Sequence, residues 1–335
     1  MSILKLTIPS AASLAATVCL FSMSATAGSL LVTNKGDHTL TIIDPASGRQ
    51  IANIDEQGVT GHELIASPDG KTAYVPIYGN SGVGKPGTDG THMVVVDLAK
   101  HEVTGSVDFG GGVRPHCPMF GPKDGLLYVT TELRQTITII DPKTLKIVGT
   151  IPTGQPESHM LAISHDGTRG YTANVGPGTV SVLDMVHRKT LRIIPISKET
   201  QRISVSPDDK MVFTSDQRAP RLAVIDAKTM KVAHWVSLPG TGYGSAPTAD
   251  GRWLVLAVPP ANVVAVVDLK TMKVAHTVAV PKAPQEVLLS PDGKTAYVSC
   301  DSSHTVAAIS TSDWKVEKLI PAGRGVDGLA WTDGI

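Results

Sequence analysis

The chain repeats itself about every 42 residues, seven times over. The register is set by the turn Ser-Pro-Asp-Gly and its relatives, whose last residue falls at Gly70, Gly125, Gly167, Asp209, Gly251, Gly293 and Gly334, with spacings of 55, 42, 42, 42, 42 and 41. A period of this size constrains the architecture before any motif does. Each unit is one supersecondary element that buries its apolar face only by packing on its neighbours, as in a solenoid or a propeller.

Within each period the apolar runs come in a fixed order. The first is LLVTN at Leu30 to Asn34, AYVPI at Ala73 to Ile77, LYVTT at Leu127 to Thr131, GYTAN at Gly170 to Asn174 and AYVSC at Ala296 to Cys300. The second alternates and ends in an acid, as in TLTIID at Thr39 to Asp44 and VVAVVD at Val263 to Asp268. A third, such as KIVGTI at Lys146 to Ile151, precedes a Gly/Pro-rich loop, and a fourth, such as SHMLAIS, leads back into the turn. Short runs of Val, Ile, Thr and Tyr bounded by Gly, Pro and Asp are strands, and four per period make one propeller blade. The expected fold is therefore all-β, a seven-bladed β-propeller with four antiparallel strands per blade. The first period starts on the second strand of a blade, so Val326 to Gly334 is expected to pair with Leu30 to Asn34 and close the ring, which removes two open sheet edges.

The strand-turn combination DGKTAYV at Asp69 to Val75, repeated at Asp292 to Val298, and the alternating strand ending in IID or VVD resemble the repeats of the YVTN family of seven-bladed β-propellers. The resemblance covers essentially all of residues 28–335. It implies the fold and leaves the activity open, since similar propellers are catalytic, cofactor-binding or purely interacting, and those of nitrous oxide reductase and the haem nitrite reductases are among them.

Thirty basic and thirty acidic residues cancel, so there is no electrostatic footprint for a nucleic-acid groove. Lys5, the apolar stretch Ala11 to Phe21 and the small-x-small triplet Ala25-Thr26-Ala27 read as a signal peptide over residues 1–27, cleaved near Ala27-Gly28. The remainder, 28–335, reads as one propeller domain, exported to the periplasm or secreted, without a membrane span and monomeric. Two cysteines remain in it, Cys117 and Cys300, which the register places three blades apart, too far to bridge.

Aligning the innermost strands on the following Tyr brings out the candidate site. His62, His116 and His159 each lie 12 residues before Tyr74, Tyr128 and Tyr171, and the same position is Gln201, Tyr243 and Gln285 in the next three blades and Asp327 in the closing one. This position opens the strand nearest the axis. Three imidazoles and a carboxylate there form a donor set for a transition metal such as Zn, Cu or Fe, with Gln201, Tyr243 and Gln285 facing the open side. Arg114, Arg202 and Arg324, on or before inner strands, are candidates to hold a carboxylate or haem propionates. A hydrated channel without a ligand, or an organic ligand without metal, fits the same pattern. Residues Gly79 to His92 form an extra loop with five glycines in twelve residues, expected to be a flap beside the channel mouth; its near match to a phosphate-binding loop fails at Pro86, where Ser or Thr would hold magnesium. The functional expectation is an exported propeller that binds a metal, a cofactor, another small molecule or a periplasmic protein partner at its channel face, in support of a redox or metal pathway. A metal-dependent oxidoreductase and a pure interaction scaffold are the alternatives.

Overall fold

A computed structural model describes Met1 and residues 28–335, so the expected signal peptide lies outside the described residues apart from Met1. The described chain forms seven four-stranded antiparallel sheets arranged as blades. Blade 1 joins both ends of the repeat array. Its innermost strand is β28 (Val326–Thr332), followed outward by β1 (Ser29–Asn34), β2 (Thr39–Asp44) and β3 (Arg49–Asp55). The closing register is Leu30↔Trp331, Leu31↔Ala330 and Val32↔Leu329, as the phase of the repeat requires. Six uninterrupted blades follow, whose innermost strands are β4 (Ile65–Ala66), β8 (Pro115–Phe120), β12 (Ser158–Ile163), β16 (Thr200–Val205), β20 (Ser245–Pro247) and β24 (Pro284–Leu289).

The middle strands alternate as the sequence does, and their apolar faces pack between blades. Leu30, Leu40, Ile42, Val75, Val94, Ile137, Ile139, Val182, Val224, Val266 and Val298 are almost wholly buried. Gly70, Gly125, Gly167, Gly251 and Gly293 have φ between 66° and 71°, and Asp209 reaches 58°, so the repeated turn demands a left-handed residue that glycine supplies without strain. Gly334 departs from this set. It abuts Gly70, where a Cβ would lie 2.2 Å from the Gly70 carbonyl oxygen.

The Asp that ends the alternating strand in six of the seven blades caps the next turn: Asp44 accepts from the Ala46 amide at 3.0 Å, Asp141 from Lys143 at 2.9 Å and Asp268 from Lys270 at 2.8 Å. Cys117 and Cys300 are both buried free thiols. No helix among the described residues is long and apolar enough to cross a membrane.

Candidate functional site

The Thr of the first apolar run positions the axial residues. Thr33 Oγ1 accepts from the Gly328 amide in its own blade at 2.9 Å and donates to the His62 carbonyl of the next blade at 2.7 Å. Thr130 Oγ1 repeats this, accepting from the Cys117 amide at 2.8 Å and donating to the His159 carbonyl at 2.9 Å. Each hydroxyl therefore ties two innermost strands together at the height of the histidines.

One feature of the inner strands lies beyond the simple register. Their pairing shifts just where the axial residues lie, between Pro115 and Pro118, Ser158 and Met160, Gln201 and Ser204, and Pro284 and Val287. A bulge re-aims successive side chains that a regular strand would send to opposite faces. Two tiers consequently surround the axis. The first holds the expected ring. One residue further along each strand comes Glu63, Cys117, Met160, Arg202, Gly244, Glu286 and Gly328. Gly328 permits the close approach of strands here, because a Cβ on it would lie 2.6 Å from the His62 carbonyl oxygen.

On the first-tier side, a cavity of about 360 Å³ is lined by His62, His116, His159, Gln201, Tyr243 and Asp327, with Lys35 and Tyr78 beside them. The imidazoles are in contact: ring centroids of His116 and His159 lie 3.6 Å apart, and those of His62 and His116 5.3 Å apart. The Tyr78 ring wedges against all three at 4.9, 5.2 and 5.6 Å. His159 Nδ1 lies 3.1 Å from Glu132 Oε2, so the ionised carboxylate takes its N–H and leaves Nε2 with the free lone pair. Tyr78 donates to the same carboxylate oxygen at 2.8 Å, and Arg114 Nη1 approaches Oε1 at 3.4 Å. Burial works to raise the Glu132 pKa, but these hydrogen bonds and charges outweigh it and hold it below the usual carboxylate range. His116 Nδ1 is buried without a hydrogen-bond partner among the described residues, as is Ser81 Oγ at the cavity edge. Burial drives the His116 pKa well down and that of His62 to about 3, so both rings are neutral bases at physiological pH.

Asp327 is engaged by cations. It accepts from Arg202 Nη2 at 3.0 Å and lies 3.2 Å from Lys35 Nζ, with His62 Nδ1 further off at 3.5 Å. Burial would raise its pKa, yet Lys35 and Arg202 hold it down. Among the described residues, no three His, Cys, Asp or Glu side chains converge in a way that could hold a metal ion as they stand.

Gln201 belongs to the cavity and donates to the Tyr243 hydroxyl at 2.8 Å. Arg202 also reaches the cavity, its guanidinium 4.9 Å from the centre of the Tyr243 ring. Gln285 is not among the lining residues, and its amide turns back toward the Ala283 carbonyl at 3.4 Å. Arg324, two residues before β28, is not brought to the cavity either: it is exposed and pairs with Asp37 at 2.6 Å. Arg114 stands behind the site as a clamp on the flap. It donates to Asp89 at 2.7 Å, the Lys85 carbonyl at 2.7 Å and the Gly82 carbonyl at 3.2 Å. The flap is an ordered hairpin, closed by Gly90 N to Tyr78 O at 2.8 Å and Asn80 N to Thr88 O at 3.1 Å, and it places Ser81, Gly82, Val83 and Lys85 over the cavity.

Comparison with known proteins places this geometry in context. Residues 120–268 match the family model described as Cytochrome D1 heme domain. The chain is a seven-bladed β-propeller. Over 183 residues, 53% of the chain, it is 27% identical to the seven-bladed beta-propeller protein Rv1057 of Mycobacterium tuberculosis, and the match spans 42% of that protein's length. Among solved structures, this propeller resembles the Kuenenia stuttgartiensis hydrazine synthase with a TM-score of 0.72 at 20% identity, covering 87% of this chain and 94% of that one. A functionally unknown protein from Desulfotomaculum acetoxidans superposes with a TM-score of 0.76 at 12% identity, over 91% of this chain and 98% of that one. The dihydro-heme d1 dehydrogenase NirN in complex with DHE does so with a TM-score of 0.67 at 16% identity, over 94% and 77%. At these identities the structural likeness is one of fold.

Proposed function

We propose that this protein is an exported propeller that holds a planar, anionic cofactor of the haem type in the cavity beneath the flap, as a binding or accessory component of a redox pathway. The observation that carries this reading is the histidine cluster itself: a buried imidazole, His116, whose Nδ1 has no partner, beside His159, whose Nε2 is left free by Glu132. Unsatisfied buried donors and acceptors are costly, and a ligand that meets them recovers that cost. The aromatic ring of Tyr78 and the imidazoles supply faces for a planar group, and Lys85 of the flap supplies positive charge for its carboxylates. The match to a haem domain over residues 120–268 supports the same class of ligand.

His159 or His116 would hold a haem-type group, which would supply redox and ligand-binding chemistry that the side chains lack. The chain's own part is to orient His159 through Glu132, to shield the site with the flap, and to place Lys85 at the rim. The cavity is at the low end of the roughly 300–1,000 Å³ typical of ligand pockets, so a ligand of this size enters with the flap displaced. Engagement of Asp327 by Lys35 and Arg202 favours this reading over a bare metal held by three histidines and Asp327.

Titration of the purified protein with haem, followed by its visible absorption, tests the proposal. Saturable one-to-one binding is expected, weakened at least tenfold in both His116→Ala and His159→Ala and unaffected in His234→Ala on an outer strand. Shortening residues 79–92 to a tight turn should speed association. Binding that is equal in wild type and the double histidine variant would remove the proposal.

A further inference from the structure

The second tier divides the channel. Arg202 extends from its strand across the axis and is held by three carboxyls: Glu63 and Glu286 on Nη1, the latter at 2.6 Å, and Asp327 on Nη2 at 3.0 Å. Below this plug lies a separate cavity of about 400 Å³, opening at the face opposite the flap. Its walls are mainly apolar and come from the lower halves of the inner strands, with Ile65, Met119, Leu161, Ile203, Leu288 and Trp331 prominent and Ser204 and His165 the polar exceptions. Its polar end is formed by Glu63 and Glu286. Glu63 is 6% exposed, and each of the two acids gives only one oxygen to Arg202: Glu63 Oε2 has no hydrogen-bond donor among the described residues, and the Glu286 carboxyl has, besides Arg202, only the neighbouring Val287 amide.

The charge of the plug is unbalanced. Glu63, Glu286 and Asp327 face two cations, Arg202 and Lys35, and Lys35 is shared with Asp301 at 3.1 Å. One carboxyl of the buried set is left without a counter-charge, and an unpaired buried charge is not tolerated.

We propose that the lower chamber is a binding site for an amphipathic organic cation, an alkyl- or arylammonium whose nitrogen docks on Glu63 Oε2 and Glu286 Oε1 and whose apolar body fills the funnel. Without such a ligand a proton takes its place. Burial, followed by the neighbouring carboxylates Glu286 and Asp327, outweighs Arg202 and moves Glu63 up to about 8, and Glu286 also shifts up. The groups facing this pair are Arg202 from β16, Asp327 from β28, Tyr243 against Arg202, and Cys117 from β8; burial raises the Tyr243 hydroxyl and pushes the Cys117 thiol to about 12, so both stay neutral. Binding the ammonium at neutral pH therefore expels a proton from the Glu63 and Glu286 pair, and the exchange conserves charge.

Calorimetric titration with n-hexylammonium, with hexanol and hexanoate as the neutral and anionic counterparts, decides the matter. The amine should bind at least tenfold more tightly than either counterpart. Its apparent enthalpy should vary with the ionisation enthalpy of the buffer at pH 7, reporting proton release. Both Glu63→Gln and Glu286→Gln should weaken it at least tenfold, and Ala162→Phe, which fills the chamber without touching the acids, should abolish it. His116→Ala, in the other cavity, should leave it unchanged, which keeps this test separate from haem binding. Equal affinity for amine and alcohol, no binding of the amine, or an amine affinity unaffected by Glu286→Gln and Ala162→Phe would overturn the proposal, and the last pair holds even if Glu63→Gln does not fold.

Discussion

Arg202 is the residue whose removal should be felt most, and in a pH-dependent way. Replacing it with Met keeps much of the stem but removes a guanidinium shared by Glu63, Glu286 and Asp327. Breaking a buried ion pair from one side costs about 3–5 kcal/mol. Here the orphaned acids have another option, which is to bind protons. Glu63 has a pKa of about 8 with the arginine in place, and Glu286 is also raised, so losing the arginine carries both further up. The folded variant then holds more protons than the folded wild type at neutral and alkaline pH. By linkage, each additional proton makes the destabilisation grow by about 1.4 kcal/mol per pH unit. The expected penalty is about 1 kcal/mol at pH 6, where the acids are readily protonated, and about 4 kcal/mol at pH 8. Urea denaturation of wild type and Arg202→Met at pH 6, 7 and 8 measures this. A penalty of the same size at all three would mean that packing, not charge, is what Arg202 contributes.

Two other outcomes follow from described contacts. Deleting the chain from Val326 onward exposes the full length of β1 and removes Asp327, so the truncated protein should aggregate or unfold without cooperativity in thermal scattering and circular dichroism; a monomer with unchanged Tm would contradict ring closure through β28. The wild-type stability should be flat between about pH 4.5 and 6.5 and fall on either side. Below 6.5 the unfolded chain takes protons that folded His62 refuses until about pH 3 and that buried His116 also refuses, so stability drops with acid, while above 4.5 the unfolded chain releases protons that folded Glu56 keeps until about pH 7 and folded Glu63 until about pH 8, so stability drops with base. The two slopes cancel in the shared window, and denaturation midpoints that rise steadily from pH 6.5 to 8 would refute the assignment.

The repeat made the blades, the closing strand and the histidine ring legible, because period and strand alternation are properties of spacing alone. His62, His116 and His159 do meet, and Gln201, Tyr243 and Asp327 meet them. The second tier could have been read by moving the same alignment along by one residue. Strand alternation argues against doing so, and only the bulges make both residues axial. Glu132 and Tyr78 carry no periodic signal: each follows the end of a strand, where neighbouring blades diverge in length, and their meeting over 54 positions is a product of packing. Arg324 and Gln285 misled for the opposite reason, since correct position along the chain says nothing about which way a rim side chain turns.

The ion pair between Lys35 and Asp327 joins the first blade strand to the last. An unfinished chain lacks one half of it, and with it an anchor of both Arg202 and the wall of the upper cavity. The proposed ligand binding would thus require the completed ring and no smaller piece. A circular permutant that opens the chain at an outer turn, such as that at residues 185–188, and fuses the present ends would make Lys35 and Asp327 close neighbours in sequence, turning the last event in assembly of the site into one of the first.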